Sequence, residues 1–152
     1  MPVSQPPEAL SRAFLHLVRG FRLLERSAKC CEGVTLAQCT LLETLQEEGA
    51  LRLKALAERV GVQISTATRL VDAAERQGLV IRRPAPGDAR GVRVELTAEG
   101  ERMAEKISAA GSGFCSLILE ALPQRERQKT IATIERVANI VDSLPTRQCG
   151  GQ

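Results

Sequence analysis

The chain has 152 residues and a net charge of +3, with 43% hydrophobic and 26% charged residues, so it can fold around one core or two small ones. It has no run of about 18 apolar residues, and its first ten residues do not have the pattern of a secretion signal, so we expect a cytoplasmic protein without a membrane partner. Three phenylalanines are its only aromatic residues, too few to stack successive bases of single-stranded nucleic acid.

Residues 1–34 are predicted to form a loose, proline-containing arm and then a helix. The apolar residues after the arm recur at alternating steps of four and three, the spacing of a helix with a coiled-coil-like seam. Gly33 is a suitable end for this helix. The seam consists of Leu10, Phe14, Leu17, Phe21, Leu24 and Ala28.

Residues 35–97 have the pattern of a helix-turn-helix followed by a hairpin. Thr35 and Gln38 have the spacing of a capping box, so a helix is predicted to begin there, and Gly49 ends it. Its predicted buried face is Leu41, Leu42 and Leu45. Two shorter helices follow, "LRLKALAERV" and "VQISTATRLVDAAERQ", on either side of Gly61. Two short helices around a glycine turn are typical of a helix-turn-helix.

The second of these short helices has two distinct faces. Its predicted inward face is Ile64, Ala67, Leu70, Val71 and Ala74. Its predicted outward face is Gln63, Ser65, Thr66, Thr68 and Arg69. The outward side chains are short hydrogen-bonding groups with one long cation, which suits base edges and phosphates in a major groove. We therefore predict Ser65, Thr66, Thr68 and Arg69 as DNA-binding residues.

A basic β-hairpin is predicted after the helix-turn-helix. "LVIRR" and "VRVEL" are rich in β-branched residues, and "PAPGDARG", residues 84–91, is predicted as the loop between them. The stretch 76–93 holds five arginines and one acid, a net charge of +4. Clustered arginine favours phosphate contacts, so Arg82, Arg83 and Arg93 are predicted to bind DNA. The alternative is a solvated surface patch.

Residues 98–145 are predicted to form two further helices, the first continuing through Gly111 and Gly113 and the second starting at Pro123. Their apolar seams are Met103, Ile107, Ala110, Phe114, Leu117 and Ala121, then Ile131, Ile134, Ala138 and Val141. Residues 146–152 are predicted to be a flexible tail. Because the seams at both ends of the chain have no obvious partner within it, we predict a symmetric homodimer, which matches palindromic duplex DNA.

Two stretches resemble the multiple antibiotic resistance regulator (MarR) family of winged helix-turn-helix repressors. They are "LKALAERVGVQISTATRLVDAAERQGLVIRR" and "GDARGVRVELTAEG", within residues 34–105. The second contains Asp88-x-Arg90, then Leu96-Thr97 and Gly100, the wing-to-helix signature of that family. The resemblance implies a mainly α fold with a small β-hairpin wing, in which a winged helix-turn-helix is flanked by terminal dimerisation helices.

The resemblance also implies a homodimeric transcriptional repressor bound to palindromic double-stranded operator DNA. Arg90 would enter the minor groove, and Asp88 would hold Arg90 by a charge-assisted hydrogen bond; the alternative is that both are turn residues only. The family often has Ser-Pro where this chain has Gln63 and Ile64. Gln is a weaker helix cap than Ser. The family's base preference therefore does not carry over to the start of the second short helix, which we call the reading helix because the resemblance places it in the major groove.

Three of the five cysteines, Cys30, Cys31 and Cys39, are predicted to flank the corner between the first and second helices. Members of the similar family sense inducers near such a junction. Thiolates are soft ligands, so we predict that these cysteines bind a thiophilic inducer: arsenic(III), Cu(I), Hg(II) or Zn(II). Cys115 could complete the site from the other subunit.

Other interpretations of the cysteines remain open. An oxidant could join thiols across the dimer, the inducer could be a small aromatic compound, or the cysteines could be buried packing residues. A thiol enzyme is not predicted, because the sequence has no Cys-x-x-Cys motif and no histidine or lysine–aspartate constellation placed to activate a nucleophile. The one histidine, His16, is interpreted as structural.

Overall fold

The computed structural model describes residues 7–26 and 33–144 of the chain. The described residues form six helices: α1 Pro7–Arg26, α2 Leu36–Glu48, α3 Leu53–Val60, α4 Ile64–Arg76, α5 Ala98–Ala121 and α6 Gln124–Ser143. They also form three strands: β1 Leu51–Arg52, β2 Val80–Ala85 and β3 Asp88–Leu96. The chain divides after Gly111, within α5, into an N-terminal unit and a C-terminal unit. None of the described helices is both long and apolar enough to cross a membrane.

The predicted first helix is confirmed as α1, and its apolar seam is exposed in the single chain. Leu10, Phe14, Leu17 and Phe21 are all exposed large hydrophobic residues. The side chain of Leu24 and the whole of Ala28 lie outside the described residues. A helix with so much exposed apolar surface is a candidate for an interface with another chain.

Helix α2 begins with the predicted capping box. The Gln38 amide N–H donates to Thr35 Oγ1 at 3.3 Å, and the Thr35 amide N–H donates to Gln38 Oε1 at 2.9 Å. Gln38 Nε2 also donates to Gln77 Oε1 at 3.1 Å, which joins the start of α2 to the residue that caps α4. Buried side chains of α2 then anchor the core of the N-terminal unit. This core consists of Cys39, Leu41, Leu42, Leu45, Leu56, Val71, Ala74, Leu79, Val80, Val94, Ala104 and Ile107.

The hairpin is present, but the predicted loop over 84–91 is too long. The ladder continues through Pro84, which pairs with Val92, and Ala85, which pairs with Asp88, so the turn is formed around Gly87 at φ +74°. Pro84 is tolerated because β2 is an edge strand in the order β1-β3-β2. The sequence-based prediction includes the two residues of β1 in the third helix. They instead form a short strand that pairs antiparallel with β3.

The last two helices match the prediction. Helix α5 continues through Gly111 and Gly113 without a break, and α6 begins directly after Pro123. In the C-terminal unit described by itself, α6 has no buried residue among those the structure describes. Its exposed apolar side chains include Ile131, Ile134 and Val141.

Candidate nucleic-acid interface

Helix α4 presents most of the predicted polar face to solvent. Gln63, Ser65, Thr66 and Arg69 are exposed. Thr68 is half-buried, and its Oγ1 donates to the carbonyl oxygen of Ile64 at 2.9 Å, so its hydroxyl proton is already used within the helix. Of the four predicted residues, Ser65, Thr66 and Arg69 therefore offer exposed donors, whereas Thr68 does not.

The N-terminus of α4 is open. Gln63 takes the N-cap position with extended backbone (φ −66°, ψ 151°), and among the described residues no side chain hydrogen-bonds the first turn as a cap. The preceding helix α3 ends at Gly61, whose left-handed conformation (φ +73°) makes the turn. Backbone N–H groups at an uncapped N-terminus attract anions such as phosphate. This end of α4 thus combines free donors with a favourable dipole.

Ile64 does not lie on the buried face of α4, so the prediction that it points inward is wrong. It is 50% exposed, whereas Ala67, Val71 and Ala74 are buried. The difference arises because Ile64 is the first residue of the helix, and the packing of α4 against the core begins only at Ala67.

Arg82 on β2 is bound to two carboxylates of α4. Its Nη2 donates to Asp72 Oδ1 at 2.6 Å, its Nη1 donates to Glu75 Oε2, and its backbone N–H donates to Glu75 Oε1 at 3.3 Å. Burial acts to lower the pKa of Arg82, but the hydrogen bonds that Arg82 donates to Asp72 and Glu75, together with the negative charges of these carboxylates, outweigh it and raise that pKa above its ordinary value. Arg82 therefore joins the wing to the reading helix.

Three arginines form a row across the sheet. In the register of the ladder, Arg93 on β3 lies opposite Arg52 on β1 and opposite Arg83 on β2, and residues directly opposite share one face. Each has a partner: Arg83 pairs with Glu95, Arg93 Nη2 donates to the carbonyl oxygen of Ala50 at 2.5 Å, and Arg52 pairs with an acid of the wing. Arg52 and Arg83 remain more than half exposed.

The local charge is therefore more balanced than the sequence count indicates. Three acids outside the stretch 76–93 neutralise arginines inside it: Asp72 and Glu75 before it, and Glu95 after it. A count over one segment misses them because they come close only through the fold.

The acid at the wing tip contacts an arginine that sequence reasoning missed. Asp88 Oδ2 accepts a hydrogen bond from Arg52 Nη1 at 2.9 Å. A Cβ added to Gly91 would lie 2.7 Å from the same Asp88 oxygen, so the absence of a side chain at Gly91 makes room for the carboxylate. The side chain of Arg90 lies outside the described ones, so its pairing with Asp88 and its minor-groove role stay predictions.

Comparison with known proteins identifies this arrangement. The sequence model of the MarR family matches residues 34–92. An uncharacterized HTH-type transcriptional regulator of Mycobacterium bovis is 30% identical over 136 residues, 90% of this chain and 92% of the relative. The chain belongs to the MarR family. The predicted family and the predicted fold class are thereby confirmed, and the chain is a transcriptional regulator.

Other MarR-type relatives cover most of the chain as well. The HTH-type transcriptional repressor MdtR of Bacillus subtilis is 28% identical over 112 residues, 74% of this chain and 72% of that protein. The crystal structure of the PcaV transcriptional regulator from Streptomyces coelicolor has a TM-score of 0.72 and 28% identity over 92% of this chain and 100% of its own. The structure of NadR in complex with 4-hydroxyphenylacetate has a TM-score of 0.67 and 26% identity, covering 95% of this chain and 100% of NadR.

The cysteines of this MarR-family chain are only partly described. Cys39 is 3% exposed and belongs to the hydrophobic core. Cys115 is exposed on α5 in the C-terminal unit. Cys30 and Cys31 lie outside the described residues. Within residues 7–26 and 33–144, no cluster of three histidine, cysteine or acidic side chains is arranged to hold a metal ion.

Proposed function

We propose that this MarR-family regulator is a cytoplasmic, non-enzymatic homodimer that binds palindromic duplex DNA and represses transcription. The observation that carries the proposal is the exposed, uncapped N-terminal half of α4, beside a hairpin that Arg82 ties to the same helix. In helix-turn-helix proteins the N-terminal residues of the second helix contact base edges in the major groove. Ser65, Thr66 and Arg69 supply the hydrogen-bonding groups for that contact.

The wing supplies phosphate and minor-groove contacts in this proposal. Arg52, Arg83 and Arg93 form a positive row across the sheet, and the exposed halves of Arg52 and Arg83 remain available to phosphate oxygens. Phosphate contacts fix register on the duplex, while base contacts specify sequence. Arg90 at the hairpin would enter the minor groove. Asp88 would position Arg90, with Arg52 bound to the same carboxylate.

Exposed apolar helix faces support the homodimer. In the N-terminal unit, α1 exposes Leu10, Phe14, Leu17 and Phe21, and in the C-terminal unit, α6 exposes Ile131, Ile134 and Val141. Such surfaces cost free energy in water and are stabilised by burial against a second copy. A two-fold dimer carries two reading helices, which match half-sites about 34 Å apart.

The dimer is tested by solution mass. The chain has a mass of 16.4 kDa, and light scattering should give twice that value. Leu17→Glu places a charge in the proposed interface and should shift the mass to that of the monomer, while the matched variant Glu47→Leu on the exposed side of α2 should not. A monomeric wild-type chain that still binds duplex DNA would contradict the homodimer and leave the reading helix in place.

A small effector is proposed to change DNA affinity. The NadR structure, 26% identical to this chain, holds 4-hydroxyphenylacetate, which favours a small organic acid as effector. The ion hypothesis at Cys30, Cys31, Cys39 and Cys115 stays a second candidate. The burial of Cys39 in the core weakens it, because a buried thiol must be exposed before it can bind an ion. An oxidant that acts on the same thiols is the third candidate.

Fluorescence anisotropy with the wild-type protein tests the proposal directly. Duplex DNA from the chain's own upstream region should bind at least about a thousandfold more tightly than a scrambled duplex, as specific sites do. Hydroxyphenylacetate, arsenite, Zn(II) and peroxide are then added in turn. Release by an organic acid supports the favoured effector, release by a soft ion supports the thiol site, and equal affinity for both duplexes would overturn the repressor proposal.

A further inference from the structure

Ile64 is an apolar side chain on an otherwise polar part of the reading helix. It is the first residue of α4 and is 50% exposed. Its exposed neighbours Gln63, Ser65 and Thr66 are all polar. The chain thus places a branched hydrocarbon in the first turn of α4, the part of a reading helix that lies nearest the base pairs.

The next turn on this side of the helix carries Thr68. Thr68 lies four residues after Ile64, and side chains at that spacing lie on the same side of a helix. Because the Thr68 hydroxyl proton is donated to the Ile64 carbonyl oxygen at 2.9 Å, this side of α4 offers no free hydroxyl proton from Thr68. Ser65 and Arg69 share the same spacing one residue further round and form a polar edge. The reading helix therefore has a hydrogen-bonding edge at Ser65 and Arg69, and an edge at Ile64 and Thr68 that offers no free hydroxyl proton.

The chemistry of the major groove supplies a matching group. Among the four bases, thymine alone presents a methyl group there, on C5, and apolar side chains contact it. From the exposure and position of Ile64, we infer that its side chain contacts the C5-methyl group of a thymine in each half-site and thereby determines base preference at that position. This inference rests on the proposed function, because it needs α4 in a major groove.

The expected effect follows from burial of one methyl group. Removing a buried methyl costs about fourfold in Kd per contact. Replacing the contacted thymine by deoxyuridine removes only that methyl and leaves base pairing unchanged. Deoxyuridine at the contacted thymine of one half-site should therefore lower the affinity of the wild-type protein about fourfold. Deoxyuridine at that position in both half-sites should lower it about sixteenfold.

The experiment combines this base change with protein variants. The DNA site is first located as the segment that the wild-type chain protects from nuclease cleavage. Duplexes of that segment are then synthesised with deoxyuridine at each thymine in turn, and Kd is measured by anisotropy. Ile64→Ala should bind the thymine and deoxyuridine duplexes equally at the contacted position, and Ile64→Val should show an intermediate ratio. Circular dichroism checks that each variant is folded.

Leu36→Ala is the matched control. Leu36 is also the first residue of a helix and is 46% exposed. It lies two residues before Gln38, whose side chain contacts Gln77 beyond the opposite end of α4 from Ile64. Leu36→Ala should keep the wild-type ratio of thymine to deoxyuridine affinity at every position.

The outcomes separate the inference from the proposed function. A methyl effect present in the wild type and in Leu36→Ala but absent in Ile64→Ala supports the inference. The same methyl effect in the wild type and in Ile64→Ala overturns it, as does a wild-type chain that binds specifically but ignores every thymine methyl. A wild-type chain that binds no duplex specifically overturns the proposed function, and the inference with it.

Discussion

Gly100 lies directly against the backbone of Leu79: a Cβ atom added to Gly100 would be 1.9 Å from the Leu79 carbonyl oxygen. That oxygen also accepts a hydrogen bond from the Thr97 amide N–H at 3.0 Å. Thr97 Oγ1 donates to the carbonyl oxygen of Gly78 at 2.6 Å and accepts from the Gly100 amide N–H at 3.0 Å. Since Gly78 and Leu79 join α4 to β2, these contacts hold the start of α5 against the connection between the reading helix and the wing.

Gly100→Ala is expected to destabilise the N-terminal unit strongly. The clashing atom belongs to the backbone and cannot rotate away as a flexible side chain would, so the start of α5 must move away from Leu79. Overpacking of this kind typically costs about 1–3 kcal/mol in free energy of unfolding. Urea denaturation followed by circular dichroism should show a lower midpoint with an unchanged slope.

Gly111→Ala is the control for this substitution. Gly111 also lies in α5, but a Cβ added there meets no atom within 4 Å among the described residues, apart from its neighbours in the same helix. Replacing a mid-helix glycine by alanine should stabilise the helix by about 0.5–1 kcal/mol. Equal decreases in stability at the two positions would show that the contact between Gly100 and Leu79 is not the cause.

Arg82 and Arg83 are adjacent in sequence but are expected to differ in DNA binding. Successive residues of a strand face opposite ways; Arg82 binds Asp72 and Glu75 of α4, and Arg83 lies in the arginine row on the other face. Arg83→Ala should reduce the slope of log K against log salt by about 0.9 for each phosphate that is no longer neutralised, so by about 1.8 in a homodimer. Arg82→Ala should weaken binding without changing that slope.

The measurement is a set of anisotropy titrations at salt concentrations from about 50 to about 200 mM, a range over which such slopes change affinity strongly. Arg82→Ala should also lower the free energy of unfolding by about 1 kcal/mol, because ion pairs to partly exposed carboxylates contribute little. A reduced salt slope in Arg82→Ala would mean that Arg82 binds phosphate despite its two carboxylate partners. The sequence-based prediction of Arg82 as a DNA ligand would then hold.

Gly91→Ala is expected to disturb the wing through Asp88. The added Cβ would lie 2.7 Å from Asp88 Oδ2 and 3.0 Å from the Cβ of Ala85, so the carboxylate must leave its position beside Arg52. We expect DNA affinity to fall about tenfold, equivalent to about 1.4 kcal/mol. In an Asp88→Ala background the same substitution should have less than half that effect, because the displaced carboxylate is absent. Additive effects in this double-mutant cycle would contradict coupling between Gly91 and Asp88.

The helices of this fold could be predicted from local pattern, but two features of the sheet could not. The Thr35–Gln38 capping box and the four-three spacing each act within one turn or a few turns of helix, so the sequence shows them directly. Strand β1 has only two residues and exists because β3 pairs with it. The predicted hairpin loop is too long because it begins at Pro84, since proline usually ends a strand. The ladder continues through Pro84 because β2 is an edge strand, which the sequence alone does not show.

The candidate site shows the same limit. The exposed face of α4 follows from helical periodicity, and Ser65, Thr66 and Arg69 lie on it as predicted. The partners of the arginines do not follow from periodicity, since Arg52 and Asp88 are 36 residues apart and meet only through strand register. The exposure of Ile64 depends on where the core ends along α4, which apolar spacing alone does not show.

Cys39 provides the clearest test of the thiol hypothesis. Because Cys39 is 3% exposed in the hydrophobic core, Cys39→Ala removes the thiol and keeps a small apolar side chain at that position. The alanine variant therefore tests the thiol without placing a more polar group in the core. If Cys39 serves packing, Cys39→Ala should bind the upstream duplex and respond to arsenite, Zn(II) and hydroxyphenylacetate as the wild type does. A folded Cys39→Ala protein that binds DNA normally but no longer responds to a soft ion would show that the core opens to expose this thiol.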